Sequence, residues 1–239
     1  MTKLKIITLN IEFDRHLDAV IPFLKKEKAD IVCLQEVLEP HFHLIKKELG
    51  MKGWFMPIHM KDYTHIDVPK GVEIQQGTVM LTNLSNNGFL EYYFRPKNVI
   101  VFTDFTKVAR GLIVSSIEHE GKKFNIATVH YAWTPDGQID DGQKKDFVKL
   151  IEFIKPFDDL LLCGDFNAPR GREMFSMFCK HFKDNLPKDV VSTIDENIHR
   201  KKGLSYAVDT FFTTPNYKIS NVKVVDGISD HKALIGFLE

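Results

Sequence analysis

The sequence lacks an apolar run long enough to cross a membrane, which takes about 20 consecutive apolar residues. Its first segment, MTKLKIITLN, has a strand-like pattern and lacks the long apolar stretch and cleavage site of a secretory signal. These absences argue against a secreted or membrane-spanning protein. We therefore expect a cytoplasmic location, no transmembrane segment and no obligate protein partner.

The sequence is also poor in cysteine and has no net charge. Its three cysteines, Cys33, Cys163 and Cys179, cannot all pair, and the first two lie in apolar stretches, which favours buried reduced thiols. With 32 basic and 32 acidic residues the formal charge is zero, so there is no overall positive field to favour nonspecific DNA binding. Because no segment has the composition of a linker, we predict one domain over residues 1–239.

Apolar residues make up 44% of the chain, and their spacing predicts its elements. Helical spacing predicts helices over residues 16–28, from Phe42 to a stop at Gly50, over 141–155, and around 175–182. Strand-like alternation predicts strands over 53–60, 77–83, 89–94, 98–105, 111–120, 122–130, 217–225 and 233–237. The polar stretch 61–76 is interpreted as an exposed loop, which makes its His65 and Asp67 poor candidates for metal ligands. This order of elements predicts an α/β protein with mixed sheets.

One stretch, LLLCGDFNAPRG at residues 160–171, combines a buried strand with polar groups at its end. Asp165 and Asn167 flank one aromatic residue, so on an extended strand their side chains point the same way. Pro169 and Gly171 then end the strand. Such an exit fixes two oxygen-bearing groups above a cleft, although the same tetrapeptide also occurs at ordinary strand exits.

The pattern of a strand with an ionisable or amide side chain at its end recurs along the chain. The other examples are Asn10 in IITLN, Glu36 in IVCLQE, His130 in NIATVH, Asp209 in AVDTFF, and Asp230 with His231 before ALIGF. Carboxylate and amide oxygens suit Mg²⁺ or Mn²⁺, and no cysteine and histidine spacing typical of zinc is present. Glu36, which follows a buried strand, is predicted to be the principal metal ligand.

In their order and spacing, these motifs resemble the endonuclease/exonuclease/phosphatase superfamily, which includes DNase I and the exonuclease III type nucleases. The motifs are TLN at 8–10, LQEV at 34–37, TVH at 128–130, GDFN at 164–167, VDTFF at 208–212 and SDH at 229–231. The resemblance covers nearly the whole chain. It implies a DNase I-like, four-layer α/β/β/α sandwich of two mixed β-sheets, a monomer, and a divalent-metal-dependent phosphoesterase.

The resemblance also implies catalytic roles for single residues. Asp165 and Asn167 orient the attacking water and contact the phosphate, with Asp165 as the general base. His231 hydrogen-bonds a phosphoryl oxygen and stabilises its charge, while Asp209 orients the imidazole. A carboxylate partner fixes the tautomer of a histidine and favours its cation, so this pairing is chemically consistent.

Further residues are expected around the phosphate and the metal. Asn10 bridges the two, and Asp230 supplies another metal or water contact. Glu12, two residues after Asn10 and predicted on the same strand face, is a candidate group near the metal. His130 matches a phosphate-contacting histidine of DNase I, and a purely structural histidine is the alternative.

Three residues are predicted at the rim where substrate binds. Arg110 precedes a strand and is a candidate anion contact, with an ordinary strand-start arginine as the alternative. Trp133 is placed to stack on a base or a headgroup, with packing of its own loop as the alternative. Arg200 lies in the basic run 199–202, which is otherwise read as solvated surface.

Together these inferences predict a Mg²⁺- or Mn²⁺-dependent phosphodiesterase or nuclease acting on a phosphodiester, with DNA, RNA or a nucleotide-containing molecule as its substrate. A second interpretation is hydrolysis of a phospholipid headgroup or phosphoinositide, which the lack of a membrane-docking loop disfavours. A third is a phosphate-binding module without catalysis, which the intact set of polar residues disfavours. The sequence leaves open whether one or two ions are used.

Overall fold

Two β-sheets of mixed strand direction form the centre of the protein, as seen in a computed structural model that describes residues 3–62, 73–95 and 108–239. The strands of the first sheet are β1 (Leu4–Asn10), β2 (Ile31–Leu38), β3 (Gly53–Asp62), β4 (Glu73–Thr82), β12 (Ile219–Val225) and β13 (Ala233–Leu238). Those of the second are β5 (Ser85–Asn86), β6 (Leu90–Arg95), β7 (Arg110–His119), β8 (Lys122–His130), β9 (Leu161–Asp165), β10 (Lys183–Asp184) and β11 (Asp209–Thr213). In the described ranges the first sheet has the spatial order β12-β13-β1-β2-β4-β3, and the second has β10-β11-β9-β8-β7-β5 with β6 also paired to β7. The helices are α1 (Leu17–Glu27), α2 (Glu39–Leu49), α3 (Asp141–Ile154) and α4 (Glu173–Cys179).

Three large apolar clusters hold these layers together. Between the sheets, Ile6 of the first sheet and Phe211 of the second belong to one fully buried cluster. Leu24 belongs to the cluster that seats α1 and α2 on the first sheet. Leu150 and Phe178 belong to the cluster that seats α3 and α4 on the second. The order of layers is therefore α/β/β/α, which confirms the predicted sandwich of two mixed sheets.

The chain path brings the polar strand ends to one edge of the sandwich. β1 runs parallel to β2 through α1, and β8 runs parallel to β9 through α3, so Asn10 ends β1 at the edge where His130 and Asp165 end β8 and β9. The strands β11 and β13 run antiparallel to β9 and β1 and begin at the same edge. There Asp209 is the register partner of Asp165, and His231 precedes β13.

Most predicted boundaries agree with the structure to within one or two residues. α1 and α3 span Leu17–Glu27 and Asp141–Ile154, against predictions of 16–28 and 141–155. Gly50 has a left-handed backbone and ends α2 as expected. α4 ends at Cys179, so Phe182 lies outside the short helix predicted there. The strand predicted over 98–105 lies outside the described residues.

The exposed loop predicted over residues 61–76 is wrong at both ends. β3 continues to Asp62, β4 begins at Glu73, and the side chain of Gln76 is buried. His65 and Asp67 lie outside the described residues. The polar sequence EIQQ is typical of a loop, but a strand that borders a cleft also carries polar side chains.

Gly164 is required where β9 passes β8. Its φ is +135°, and a Cβ atom built on it would lie 2.0 Å from the carbonyl oxygen of Val129. Only glycine accommodates this backbone and this approach together. The close contact sets the position of the adjacent Asp165.

Cys33 and Cys163 are free and buried, as predicted, whereas Cys179 is free and exposed. The part of the chain that the structure describes has no helix with the length and apolar character to cross a membrane.

Candidate active site

A cleft of about 560 Å³ opens at the edge where the polar strand ends meet. Small-molecule sites in proteins typically measure about 300–1,000 Å³. The predicted residues that line the cleft are Glu12, Glu36, Arg110, His130, Trp133, Asp165, Asn167, Arg200, Asp230 and His231. Asn10 and Asp209 lie behind this surface and hydrogen-bond to Asp165 and His231, so the structure brings the whole predicted set together.

Asp165 is the carboxylate around which the other groups are arranged. The residue is 1% exposed, and its Oδ2 accepts a hydrogen bond from Asn10 Nδ2 at 3.2 Å, across the gap between the two sheets. Its Oδ1 accepts the backbone N–H of Asn167 at 2.8 Å. Burial raises the pKa of Asp165 to about 6, although His231 acts in the opposite direction. A carboxylate of this pKa is suited to accept a proton near pH 7.

Asn167 reaches the cleft by a different route from the one predicted. β9 ends at Asp165, and Asn167 has a left-handed backbone with φ +49°. The expectation that both side chains share one face of an extended strand is therefore wrong. The turn instead lets Asn167 Nδ2 donate to the carbonyl of Tyr131 at 3.1 Å, and asparagine tolerates this backbone.

His231, Asp209 and Thr193 form a buried chain of hydrogen bonds. His231 Nδ1 lies 2.9 Å from Asp209 Oδ2, which also accepts the hydroxyl of Thr193 at 2.6 Å. The other ring nitrogen, Nε2, lies 4.0 Å from Asp165 Oδ2. Burial lowers the pKa of His231, but Asp209 and Asp165 together outweigh it and raise that pKa well above 6.5. The imidazole is therefore a cation near pH 7.

His130, at the end of β8, is held in the opposite charge state. Its Nε2 lies 3.6 Å from Asp165 Oδ2 and 3.9 Å from Glu36 Oε1. Burial, followed by the nearby cations Arg110 and His231, holds the pKa of His130 well below 6.5. One cleft thus contains a cationic and a neutral imidazole, and a neutral one can donate or accept a hydrogen bond.

Glu36 enters the cleft through an irregularity in β2. The pairing of β2 with β4 shifts register between Leu34 and Val37, and Glu36 has φ +58°. Such a bulge re-aims a side chain. Burial and the charge of Asp230 raise the pKa of Glu36 to about 7, although a hydrogen bond with Asn10 lowers it. A bound cation would relieve this crowding of acidic groups.

Glu12 and Asp230 lie among basic side chains of the cleft. Arg200 Nη2 is 2.7 Å from Glu12 Oε1, and His199 Nε2 is 3.8 Å from Asp230 Oδ2. β1 ends at Asn10 and Glu12 has φ +45°, so the prediction that Glu12 continues the strand face of Asn10 is wrong. Both carboxylates still line the cleft, as does Arg200. Their negative charges make this part of the cleft attractive to cations.

Arg110 is the first residue of β7 rather than the residue before it, and it is 3% exposed. Burial lowers its pKa to about 10, so it stays a cation near pH 7. Among the described residues its Nε has no hydrogen-bond partner. A buried guanidinium that lines a cleft with an unused donor is suited to meet an anion there.

The sequence model of the Endonuclease/Exonuclease/phosphatase family matches residues 7–231. The chain belongs to this family. Membership confirms the resemblance drawn from the six motifs, and phosphoester hydrolysis is the general chemistry of the family.

Solved structures of the endonuclease/exonuclease/phosphatase family have the same fold. The chain is similar to such a protein from Bacteroides vulgatus, with a TM-score of 0.78, 17% identity, and coverage of 100% of this chain and 99% of that one. It is similar to ANGEL2, a 2′,3′-cyclic phosphatase in complex with adenosine-2′,3′-vanadate, with a TM-score of 0.74, 12% identity, and coverage of 99% and 95%. It is also similar to TDP2 of D. rerio complexed with a single-strand DNA product, with a TM-score of 0.70, 16% identity, and coverage of 100% of each chain. A comparison with curated proteins finds no match.

Two groups of residues in this family member are candidates for holding a metal ion. Asp165, Asp209 and His231 are buried and each offers a ligand atom within 4.8 Å of the others. Asp209 and His231 already share a hydrogen bond, however, so an ion there would compete with it. Glu36 and Asp230, with the amide of Asn10, instead offer oxygen donors, which Mg²⁺ prefers.

Sequence reasoning missed several residues that shape this endonuclease/exonuclease/phosphatase site. His59, Gln76 and Tyr206 line the cleft, and Thr193 supports Asp209. The first two lie on strands whose polar residues belong to no motif. Thr193 and Tyr206 lie in an irregular segment in which only the basic run 199–202 indicated a role.

Proposed function

We propose that this protein is a Mg²⁺- or Mn²⁺-dependent phosphodiesterase that hydrolyses a bond in nucleic acid or in a nucleotide-containing substrate. The observation that carries the proposal is the surroundings of Asp165. This carboxylate accepts a hydrogen bond from Asn10 and lies 4.0 Å from the cationic His231 and 3.6 Å from the neutral His130. A base, a cation and polar donors around one small volume are what hydrolysis of a phosphodiester requires.

The residues present fit a hard divalent ion. Glu36, Asp230 and Asn10 would hold it through carboxylate and amide oxygens, with Glu12 nearby in the same cleft. The pKa of Glu36, raised to about 7 by burial and by Asp230, fits a group of acids that a cation stabilises. When bound, the ion neutralises charge on the phosphoryl group and on the leaving oxygen.

Asp165 acts as the general base in this proposal. A water between Asp165 and Asn167 gives its proton to Asp165 while its oxygen forms a bond to phosphorus, and the bond from phosphorus to the leaving oxygen breaks. With a pKa of about 6, Asp165 is mostly ionised near pH 7 and accepts this proton. The leaving oxygen takes a proton from solvent water, and Asp165 then gives its proton to the hydroxide that remains, which restores the carboxylate.

His231 and its neighbours stabilise the charge that develops on the phosphoryl group. Asp209 holds His231 as a cation, so its Nε2–H can donate to a phosphoryl oxygen. We expect His130 and Arg110, which line the cleft, to contact the remaining oxygens. The Nε of Arg110, which has no hydrogen-bond partner in the described part of the chain, fits an anion in the cleft.

The nucleotide character of the substrate is supported by the solved structures. ANGEL2 is a 2′,3′-cyclic phosphatase and was solved with an adenosine vanadate, and TDP2 was solved with a single-strand DNA product. The zero formal charge of this chain argues against tight nonspecific binding to long polyanions. A defined nucleotide-containing substrate is therefore favoured over bulk DNA.

The proposal is tested by incubating the protein with Mg²⁺ and a panel of phosphoesters. The panel contains single-stranded DNA, abasic duplex, 5′-tyrosyl DNA, a nucleoside 2′,3′-cyclic phosphate and sphingomyelin. We expect hydrolysis of at least one nucleotide substrate, and its loss with EDTA. Hydrolysis of sphingomyelin alone would overturn the nucleotide assignment, and no hydrolysis at all would favour the phosphate-binding module.

Asp165→Asn tests the role of the base. We expect kcat to fall by about 10²–10⁴-fold, the usual contribution of a general base, with the folded structure retained. Asp158→Asn is the matched control, because Asp158 is an exposed carboxylate outside the cleft. Initial rates and thermal denaturation of both variants separate catalysis from folding. Near-normal activity of Asp165→Asn would contradict the assigned role.

A further inference from the structure

The cleft has an apolar wall that none of the proposed chemical steps uses. Trp133, Leu204 and Tyr206 line the cleft with Pro135 and Pro169, and we call these five residues the apolar wall. Trp133 is 42% exposed, and Leu204 and Tyr206 are half-buried. Single exposed apolar residues are common, but several that share a cleft with reactive polar groups indicate a surface for a ligand.

Tyr206 in this wall is held in place by Arg172. The guanidinium carbon of Arg172 lies 4.6 Å from the centre of the Tyr206 ring, and Arg172 Nη2 donates to the Tyr206 hydroxyl at 3.0 Å. Arg172 Nη1 also donates to the carbonyl of Asp136 on the opposite loop. An aromatic ring that is already ordered loses little conformational entropy when a ligand packs on it.

The wall is also connected to the reacting groups. The backbone N–H of Thr193 donates to the carbonyl of Tyr206 at 3.0 Å, and the hydroxyl of Thr193 donates to Asp209. Asp209 in turn contacts His231. A group packed on Tyr206 would therefore lie at a fixed position relative to a phosphate at His231.

We propose that this wall is a nucleobase subsite, in which Trp133 and Tyr206 bind the flat aromatic ring of the substrate. The inference rests on the proposed function and specifies its substrate as one with a base next to the reacting phosphate. Charged groups border the wall, among them Asp136 and Lys201, whose carboxylate and ammonium are 3.4 Å apart. A base, with its polar edges, fits such a border better than an acyl chain does.

The subsite can be tested by binding, without turnover, using adenosine 5′-monophosphate and ribose 5-phosphate in the presence of Mg²⁺. The two share the ribose and the 5′-phosphate, and the second has a hydroxyl in the place of the base. Stacking of a base on an aromatic side chain corresponds to a gain of about fivefold to a hundredfold in affinity. We expect calorimetry to show this preference for adenosine 5′-monophosphate, and we expect Trp133→Ala or Tyr206→Ala to reduce it several-fold. Tyr206→Phe keeps the ring and should keep most of the preference.

Tryptophan fluorescence provides a second measurement. The sequence has two tryptophans, and Trp54 lies outside the cleft, stacked on Phe89 at 6.3 Å between ring centres. Trp54→Phe therefore leaves Trp133 as the only tryptophan, whose emission can be excited selectively. We expect adenosine 5′-monophosphate to quench this emission in a saturable way, and ribose 5-phosphate to leave it unchanged.

The possible failures are distinguishable. Equal affinity for the two ligands, or a preference that survives both alanine variants, would overturn the subsite while leaving phosphodiester hydrolysis in place. Hydrolysis without measurable binding of adenosine 5′-monophosphate would do the same. Absence of both binding and hydrolysis across the substrate panel would instead overturn the proposed function.

Discussion

His231 and His130 lie 4.0 and 3.6 Å from the same carboxylate oxygen of Asp165, yet their pKa values shift in opposite directions. Burial lowers the pKa of both. The difference comes from their other neighbours, because Asp209 hydrogen-bonds His231 whereas Arg110 repels a proton on His130. The carboxylates around His231 outweigh burial, whereas the cations near His130 add to it, so the pKa values of the two imidazoles move apart.

Asp209→Asn is expected to lower the pKa of His231, because it removes a negative charge that opposes the lowering effect of burial. NMR titration of the ring signals in metal-free protein measures this shift, and the same titration of the unsubstituted protein is the control. An unchanged His231 titration would show that Asp209 does not set its charge.

The two histidines also make opposite contributions to stability as pH changes. The pKa of His231 is raised on folding, so its contribution is complete below the unfolded value of about 6.5 and is lost as pH rises through the folded pKa. The pKa of His130 is lowered, so its contribution is complete above about 6.5 and is lost as pH falls. In urea denaturation, Asp209→Asn should therefore destabilise more at pH 6 than at alkaline pH.

At the residue scale, the sequence indicated which side chains meet at the cleft but not the backbone conformations that bring them there. Glu12, Glu36 and Asn167 all have positive φ. Such conformations in residues other than glycine depend on tertiary contacts, such as the bond from Asn167 to the carbonyl of Tyr131. Thr193 escaped notice for the same reason, since only the folded chain brings it to Asp209.

At the element scale, the pairing of β8 with β9 positions His130 beside Asp165, its register partner. Gly164→Ala would place a methyl group 2.0 Å from the carbonyl oxygen of Val129. We expect a loss of about 2–5 kcal/mol of unfolding free energy from overpacking and backbone strain, measured in urea. Activity should fall by more than the loss of folded protein explains, because the ends of β8 and β9, which carry His130 and Asp165, would move apart.

Gly121→Ala is the matched control for this prediction. Gly121 also has a positive φ, of +74°, but no atom outside its chain neighbours lies within 4 Å of the added methyl group. Only the strain of the left-handed backbone remains, about 1–2 kcal/mol. Equal effects of the two substitutions would show that the close approach of β8 and β9 is unimportant.

Elements with a buried face were predictable because apolar spacing reports burial in a core. The helices over 17–27 and 141–154 and the cap at Gly50 follow from such signals. The prediction starts β4 at residue 77 instead of Glu73, because Gln76 is polar although it is buried in the wall of the cleft. A polar side chain at the cleft interrupts the apolar alternation by which a strand is predicted from sequence.

At the scale of the whole molecule, metal binding should appear as a gain in stability. A ligand at 100 times its Kd adds about 2.7 kcal/mol, which corresponds to a rise of about 5–11 °C in Tm for a protein of this size. We expect Mg²⁺ or Mn²⁺ to produce such a rise, and Glu36→Gln to remove most of it.

Asp209→Asn distinguishes the two candidate metal groups. If Glu36 holds the ion, this variant keeps the rise in Tm although it loses activity. If the rise is lost with Asp209→Asn and kept with Glu36→Gln, the buried group of Asp165, Asp209 and His231 binds the metal instead. Differential scanning calorimetry with and without EDTA gives the result.

The layered architecture was predictable only in part from periodicity, which indicated mixed sheets and flanking helices. The α/β/β/α order was implied by the resemblance to the endonuclease/exonuclease/phosphatase superfamily that the motifs carry, and an arrangement of this kind brings strand ends from both halves of the chain together. What the motifs do not encode is the shape of the rim. Trp133 was suggested by its position, whereas Tyr206 and its partner Arg172 emerged only from the folded contacts.

The hydrogen bond between Asn10 and Asp165 joins the two sheets, so the proposed activity depends on their packing against each other. β1 and β9 belong to different sheets, and β13, which follows His231, closes against β1. Neither sheet alone carries the base, its amide donor and the imidazole cation. If the proposed mechanism holds, a chain in which one sheet alone has formed would therefore be inactive toward phosphoesters, and hydrolysis would begin once the two sheets have packed together.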